Sequence, residues 1–151
     1  MIKAKGIKEM SGTTTVLTTN LALSEMETVF RQIAKAIRTP LSRLGEMGAR
    51  VNKRSVEFGF YTPSETPFTS LDDDPPDFTV GLTYGAGFTG QFGNFRTMHM
   101  YVWNRGEKRE VHLHVPHSFT GAAHAKRSLR KGFEVFQKSD SDVTVQEGLV
   151  S

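Results

Sequence analysis

Three histidines lie within six positions of one segment, EVHLHVPHS, residues 110–118. An imidazole can bind a transition metal, transfer a proton near neutral pH, or stack on a nucleic-acid base and hydrogen-bond to it. Alternate side chains of a strand share a face, so His112 and His114 point the same way if the segment is extended. The chemistry therefore depends on the element that holds the histidines and on the residues that face them.

The segment ends a predicted β-hairpin, RTMHMYVWNRGEKREVHLHV, residues 96–115, which turns at NRGE. If Trp103 lies opposite Lys108, then His99 lies opposite His112, and the apolar side chains of both strands share the other face. A shift by one residue would divide that apolar face, so burial favours this register. The outer face then carries imidazole, aromatic and charged side chains: His99, Tyr101, Trp103, Lys108, Glu110, His112 and His114.

One hypothesis for the outer face is a metal site. Imidazoles two positions apart can chelate one ion, and His99 would join His112 and His114 as a third ligand. The strand-borne HLH followed by a helix is also similar to the His–hydrophobic–His pattern of HUH nucleases. That resemblance implies a divalent ion held by the histidines and a tyrosine nucleophile, usually on a helix. No tyrosine follows Tyr101, so the predicted helix lacks the nucleophile.

The hypothesis that we favour is a nucleic-acid-binding face. Aromatic and imidazole rings with a lysine suit base stacking and phosphate contact, and they need no unique catalytic geometry. The alternative is that another layer, or a second copy of the chain, covers these side chains. We predict no catalytic residue, no cofactor and no metal, and hence a non-enzymatic protein.

Charge is unevenly distributed along the chain, whose net charge is +3. Residues 62–77, TPSETPFTSLDDDPPD, contain five acidic residues and no Lys or Arg, which leaves 19 basic residues against 11 acidic ones elsewhere. A basic body with an acidic loop suits contact with phosphates, although a solvated surface explains the same balance. The absence of Cys excludes disulfides, thiolate metal sites and a cysteine nucleophile.

Two helices are predicted on either side of the strands. Ser24 and Glu27 form a capping box at the start of the first, which ends or kinks before Pro40. The second runs from about residue 121 to 137, and its basic side consists of Lys126, Arg127, Arg130 and Lys131. Like charges at i,i+4 repel one another, so a bound anion explains this side, and so does a solvated surface.

Alternating apolar residues predict further strands at 56–60 and 78–84. Residues 1–20 are an N-terminal arm or first strand, and residues 139–151 are a C-terminal tail. GAGFTG, residues 85–90, matches G-x-G-x-x-G but leads into a strand rather than a helix, so we interpret it as a loop. Asp72–Asp74 lack the spacing of a calcium loop. The sequence predicts one α+β domain, residues 1–151: an antiparallel sheet of four to five strands with two main helices packed on one face.

Residues 110–151, EVHLHVPHSFTGAAHAKRSLRKGFEVFQKSDSDVTVQEGLVS, combine a strand end, a short Phe-containing link, a basic helix and a small polar extension. This run resembles the coat proteins of single-stranded RNA bacteriophages. The resemblance implies a sheet that binds RNA on one face and C-terminal helices that interlock with a second chain. It covers under a third of the chain, and residues 24–38 depart from it because those coats are β-rich from the N-terminus. A matrix-like viral protein fits the same features.

We therefore expect a self-associating structural protein, a homodimer or higher assembly, that binds RNA in preference to DNA. Its predicted nucleic-acid-binding residues are His99, Tyr101, Trp103, Lys108, His112, His114, Lys126, Arg127, Arg130 and Lys131. The alternatives are a metal-dependent HUH-like nuclease and a small partner-binding or inhibitory protein. No signal peptide and no membrane span are predicted, which suits the cytoplasm or a virion.

Overall fold

A computed structural model describes residues 12–37, 47–52, 54–56, 74–84, 98–115 and 121–148. Within these ranges the strands are β1 (Thr13–Thr19), β2 (Met47–Val51), β3 (Arg54–Val56), β4 (Phe78–Tyr84), β5 (Met98–Arg105), β6 (Lys108–Val115) and β7 (Thr144–Glu147). They form one antiparallel sheet in the order β3-β2-β4-β5-β6-β1-β7. The five longer strands form its centre, and the short strands β3 and β7 form its edges.

Two helices cover one face of this sheet. The first, α1 (Met26–Ile37), follows a 3₁₀ turn at Leu23–Glu25, and the second, α2 (Gly121–Ser139), precedes β7. Apolar side chains of both helices share a single buried cluster with one face of the sheet. The predicted α+β class, an antiparallel sheet with two helices on one face, is confirmed, and the sheet has two short edge strands in addition to five longer ones, against the predicted four to five strands.

Strand alternation produces this core. The side chains of the central strands that face the helices are Val80, Leu82, Met98, Met100, Val102, Val111 and Leu113. At Gly132 the helix α2 comes so close to the sheet that a Cβ would lie 3.1 Å from the Leu113 side chain. A fully buried large apolar side chain contributes roughly 1.5–3 kcal/mol, so this cluster determines which face of the sheet the helices cover.

The β5–β6 hairpin has the predicted faces but a different register. The Cα partners are His99 with His114, Tyr101 with His112, Trp103 with Glu110, and Arg105 with Lys108. The predicted pairing of His99 with His112 is therefore wrong by two residues. The turn has only two residues, with a φ of 75° at Gly106, and glycine at the first turn position is typical of a type II′ hairpin. Because the shift is even, every side chain keeps its predicted face.

The start of α1 differs from the predicted capping box. The backbone N–H of Ala22 donates to Glu25 Oε1 at 2.7 Å, while Glu27 pairs with Arg31 one turn later, at 3.0 Å. The 3₁₀ turn moves the helix start toward the N-terminus, so Ser24 lies inside that turn. Because alanine has no side-chain acceptor, only the glutamate half of a capping box forms.

Two strands were not predicted. β2 lies between the predicted first helix and the predicted strand at 56–60, and β7 lies within the predicted C-terminal tail. The predicted strand at 56–60 overlaps the described residues only at Val56, and the acidic segment only at 74–77. The glycine-rich segment 85–90 lies outside them. No helix within the described ranges is long and apolar enough to span a membrane.

Candidate functional site

The hairpin side chains predicted to bind nucleic acid share the sheet face opposite the helices. Strand alternation brings them together there, and β1 adds Thr14 opposite His114. The face is nevertheless buried, since Tyr101, Trp103 and His114 are each 1% exposed and His112 is 0% exposed. This burial fits the alternative that another layer covers these side chains and does not suit a freely accessible nucleic-acid-binding face, whereas Lys108, at the end of the hairpin, is exposed.

His99 and His114 form a buried imidazole pair, with ring centroids 6.0 Å apart. His114 Nδ1 lies 2.8 Å from the Thr14 hydroxyl, and His99 Nδ1 lies 3.5 Å from the Tyr101 hydroxyl, at the limit of a hydrogen bond. Among the described residues, His99 Nε2 has no hydrogen-bond partner. Burial, and then the nearby His114, lower the pKa of His99 to about 3, so this imidazole is neutral at physiological pH.

Glu110 joins two neighbours on the same face. One carboxylate oxygen lies 2.6 Å from His112 Nε2, and the other accepts from Arg105 Nε at 3.1 Å. Burial opposes ionisation of Glu110, but the hydrogen bonds and the charge interactions with His112 and Arg105 together outweigh it and hold the Glu110 pKa below its ordinary value. Burial lowers the pKa of His112 despite Glu110. A neutral His112 therefore donates its Nε2–H to Glu110, which leaves Nδ1 as a buried acceptor with no partner in the described part of the chain.

The three histidines named as alternative metal ligands do not converge on one point. Nε2 of His112 is hydrogen-bonded to Glu110, and the His112 ring centroid lies 4.6 Å from that of Trp103. Nδ1 of His114 is hydrogen-bonded to the Thr14 hydroxyl. No group of three or more His, Cys, Asp or Glu side chains in the described ranges is arranged to hold a metal ion. The geometry of these residues therefore gives no support to the HUH-like nuclease alternative.

The basic side of α2 forms a second candidate surface. Lys126, Arg127 and Arg130 are exposed, while the helix buries Leu129 and Phe136 on its opposite side. Lys131 differs from the other three because it is partly buried and its Nζ donates to the Ala36 carbonyl of α1 at 3.3 Å. Three of the four predicted basic residues of this helix are thus directed to solvent.

The ten predicted binding residues do not form one surface. Those of the hairpin lie on the face away from the helices, whereas those of α2 lie on the helix-covered side. The separation follows from strand alternation: α2 packs on the face of Leu113, and the neighbouring histidines of β6 point the other way. The sequence alone does not show this separation, because the hairpin and α2 follow each other along the chain.

Sequence reasoning missed a cluster at the end of the hairpin. The Trp103 indole N–H donates to the Asp74 carbonyl at 2.9 Å, and Arg105 Nη2 donates to Asp74 Oδ2 at 2.8 Å. Strand alternation already places Arg105 and Trp103 on one face, so their proximity was visible in the sequence. The contact with Asp74 joins positions separated by 31 residues, so no local pattern indicates it.

Comparison with known proteins gave no match to a family model, to a curated protein or to a solved structure.

Proposed function

We propose that this protein is a non-enzymatic structural protein that binds nucleic acid through the exposed basic side of α2. The observation that carries the proposal is the exposure of Lys126, Arg127 and Arg130 along one side of a single helix. The two helices together contain seven Lys or Arg and two Glu. Lys126 and Arg130 are one turn apart, and such like charges repel by about 0.2–0.5 kcal/mol unless an anion lies between them.

The histidines have a different role in this proposal from the one predicted. They are buried, and burial lowers the pKa of both His99 and His112. These two imidazoles therefore supply no positive charge to a phosphate at neutral pH. Contact through α2 needs no rearrangement of the sheet. Contacts between phosphates and lysine or arginine side chains do not distinguish one base from another. The preference for RNA over DNA therefore remains a prediction from the coat-protein resemblance.

Self-association is the second part of the proposal, and the resemblance of residues 110–151 to coat proteins supports it. In that family the C-terminal helices interlock with a second chain. Here α2 packs beside Leu113 of its own sheet and beside Ile33 of α1. We therefore place assembly at a surface other than the helix-covered sheet face.

The test is the affinity for a fluorescently labelled single-stranded RNA as a function of salt. The triple variant Lys126→Gln/Arg127→Gln/Arg130→Gln should bind at least about tenfold more weakly, which corresponds to about 1.4 kcal/mol. For a single strand, three lost phosphate contacts should reduce the slope of log affinity against log salt by about two.

Lys108→Gln is the control for this experiment, since it removes one exposed charge at the hairpin end. Single Lys126→Gln should weaken binding more than Lys108→Gln does. Unaltered affinity of the triple variant, or affinity that does not fall as salt rises, would reject α2 as the binding surface.

A further inference from the structure

A short segment, Asp74–Asp77, lies on the end of the hairpin. Asp77 extends the β4–β5 pairing, because its N–H donates to the Val102 carbonyl at 2.8 Å. Its carboxylate also accepts from the backbone N–H of Asn104 at 2.7 Å. These bonds anchor the segment where β4 begins, and from there it extends back to Trp103 and Arg105.

At the other end of the segment, Asp74 satisfies two donors at once. Its carbonyl accepts from the Trp103 indole N–H, and its carboxylate accepts from Arg105 Nη2. The Arg105 guanidinium carbon lies 5.7 Å from the centroid of the Trp103 ring. An indole N–H and a guanidinium thus lie side by side, and both bind oxygen atoms of one acidic residue.

A phosphate group offers the same kind of acceptor oxygens. Arginine binds phosphate with several N–H groups, and bases stack on guanidinium planes in single-stranded complexes. The buried Trp103 ring offers its indole N–H as a second donor beside Arg105. We propose that Arg105 and Trp103 form a phosphate-contacting subsite for single-stranded nucleic acid, and that Asp74 occupies it from within the chain. This inference rests on the proposed nucleic-acid function and adds a contact on the sheet side away from α2.

The contacts of Arg105 suit displacement of Asp74. The Arg105 and Asp74 side chains are 35% and 28% exposed, and exposed ion pairs contribute little to stability. Glu110 holds Arg105 through Nε on its other side, at 3.1 Å. The guanidinium therefore stays oriented when Asp74 leaves, and Asp74 can rebind because Asp77 remains anchored. In this proposal Asp74 competes with nucleic acid for one site.

The test compares Asp74→Asn with Glu107→Gln in binding labelled oligouridylate at fixed salt. Asp74→Asn keeps the backbone carbonyl and the size of the side chain but removes its charge, whereas Glu107→Gln removes the same charge from an exposed position in the turn. We expect several-fold tighter binding by Asp74→Asn, no comparable gain for Glu107→Gln, and loss of the gain in Asp74→Asn/Arg105→Gln. Equal affinities of Asp74→Asn and Glu107→Gln, or a gain that persists in the double variant, would overturn the proposal.

Trp103 provides a second measurement because it is the single tryptophan of the chain. In the wild-type protein, saturating oligouridylate should change the emission of Trp103 and its quenching by acrylamide, and Arg105→Gln should abolish the change. This fluorescence measurement replaces the comparison of variants if circular dichroism shows that Asp74→Asn does not fold. If oligouridylate leaves the Trp103 emission and quenching of the wild-type protein unchanged, the proposal is overturned. Unaltered binding by the α2 triple variant, together with a gain in Asp74→Asn, would reject the α2 proposal and support this subsite.

Discussion

At the scale of single residues, burial decides the chemistry of the histidines. An exposed imidazole titrates near pH 6.5 and can bind phosphate as a cation. On this sheet, burial and His114 lower the pKa of His99 to about 3, and burial lowers the pKa of His112 even though Glu110 opposes the shift. His99 and His112 therefore act as neutral, buried hydrogen-bonding groups, and protonating either one destabilises the folded state.

The stability of the protein should fall as the pH drops below about 6.5. The unfolded chain binds a proton at His99 near the ordinary pKa of 6.5, whereas the folded chain binds it only near pH 3. Between these values the unfolded state holds more protons, so stability is greatest above 6.5 and decreases toward 3. For His99 alone the loss between pH 7 and pH 4.5 should be about 2–3 kcal/mol.

Urea unfolding at pH 7 and pH 4.5 measures this loss, and His99→Leu is the comparison. The variant should lose less stability on acidification than the wild-type protein, by about the His99 contribution. Glu110 adds to this effect, because its interactions with His112 and Arg105 lower its pKa despite burial. Protonating such a carboxylate at lower pH further reduces the stability of the fold. An unchanged pH dependence in His99→Leu would contradict the neutral state assigned to this residue.

At the scale of elements, β1 is held on both sides by strands distant in sequence. It pairs with β6 along its whole length and with β7 on the other side. Where α2 ends, Asp140 Oδ2 accepts from the Thr19 hydroxyl and from the Asn20 backbone N–H, each at 2.7 Å. The same carboxylate accepts from the Asp142 N–H at 3.0 Å. Asp140 thus connects the end of α2 to the end of β1 and directs the chain into β7.

The attachment of β7 can be tested at Gly148, which has a φ of 97°. A Cβ at this position would collide with the Thr14 backbone oxygen. Gly106 has a φ of 75° but no atom within 4 Å of its Cβ position, so Gly106→Ala reports the backbone cost alone, roughly 1–2 kcal/mol. Gly148→Ala should lose roughly 1–3 kcal/mol more, because the collision displaces β7 or β1.

The measurement is urea unfolding followed by circular dichroism for both alanine variants. Equal losses in Gly148→Ala and Gly106→Ala would show that β7 does not lie against β1 in solution. A larger loss in Gly148→Ala would show that the C-terminal strand contributes to the stability of the sheet.

At the scale of the whole molecule, the exposed basic residues of α2 and the buried histidines of the hairpin lie on different sides of the sheet. The exposed cations Lys126, Arg127 and Arg130 lie on the helix side. On the other side, the cation of Arg105 is paired with Asp74 and Glu110. This arrangement places the accessible positive charge of the described residues mainly on α2, in keeping with the proposed binding surface.

Assembly is the prediction that belongs to this scale. If the protein is coat- or matrix-like, light scattering after size exclusion should show a particle larger than a dimer, with a raised ratio of absorbance at 260 nm to 280 nm across its peak. High salt should release the nucleic acid, because phosphate binding displaces counterions. A monomer or dimer free of nucleic acid would reject the assembly proposal.

The local patterns of the sequence determined much of the architecture. Alternation assigned the faces of β4, β5 and β6, and helical spacing located α1 and α2, because both periods follow from backbone geometry within one element. The even two-residue error in the hairpin register left those faces intact. The charge of α2 was also visible in the sequence, since exposed positions of an amphipathic helix need only the local period.

Tertiary structure alone decided what covers each surface. The burial of the hairpin histidines and the pairing of Arg105 with Asp74 depend on contacts between positions far apart in the chain. The two unpredicted strands, β2 and β7, depend on hydrogen bonds to β4 and β1, which lie far from them in the chain, and no local pattern indicates them. The sequence by itself thus determined which residues share a face. Whether a face meets solvent, helix or loop was decided by the fold, since burial is a property of the whole packed chain.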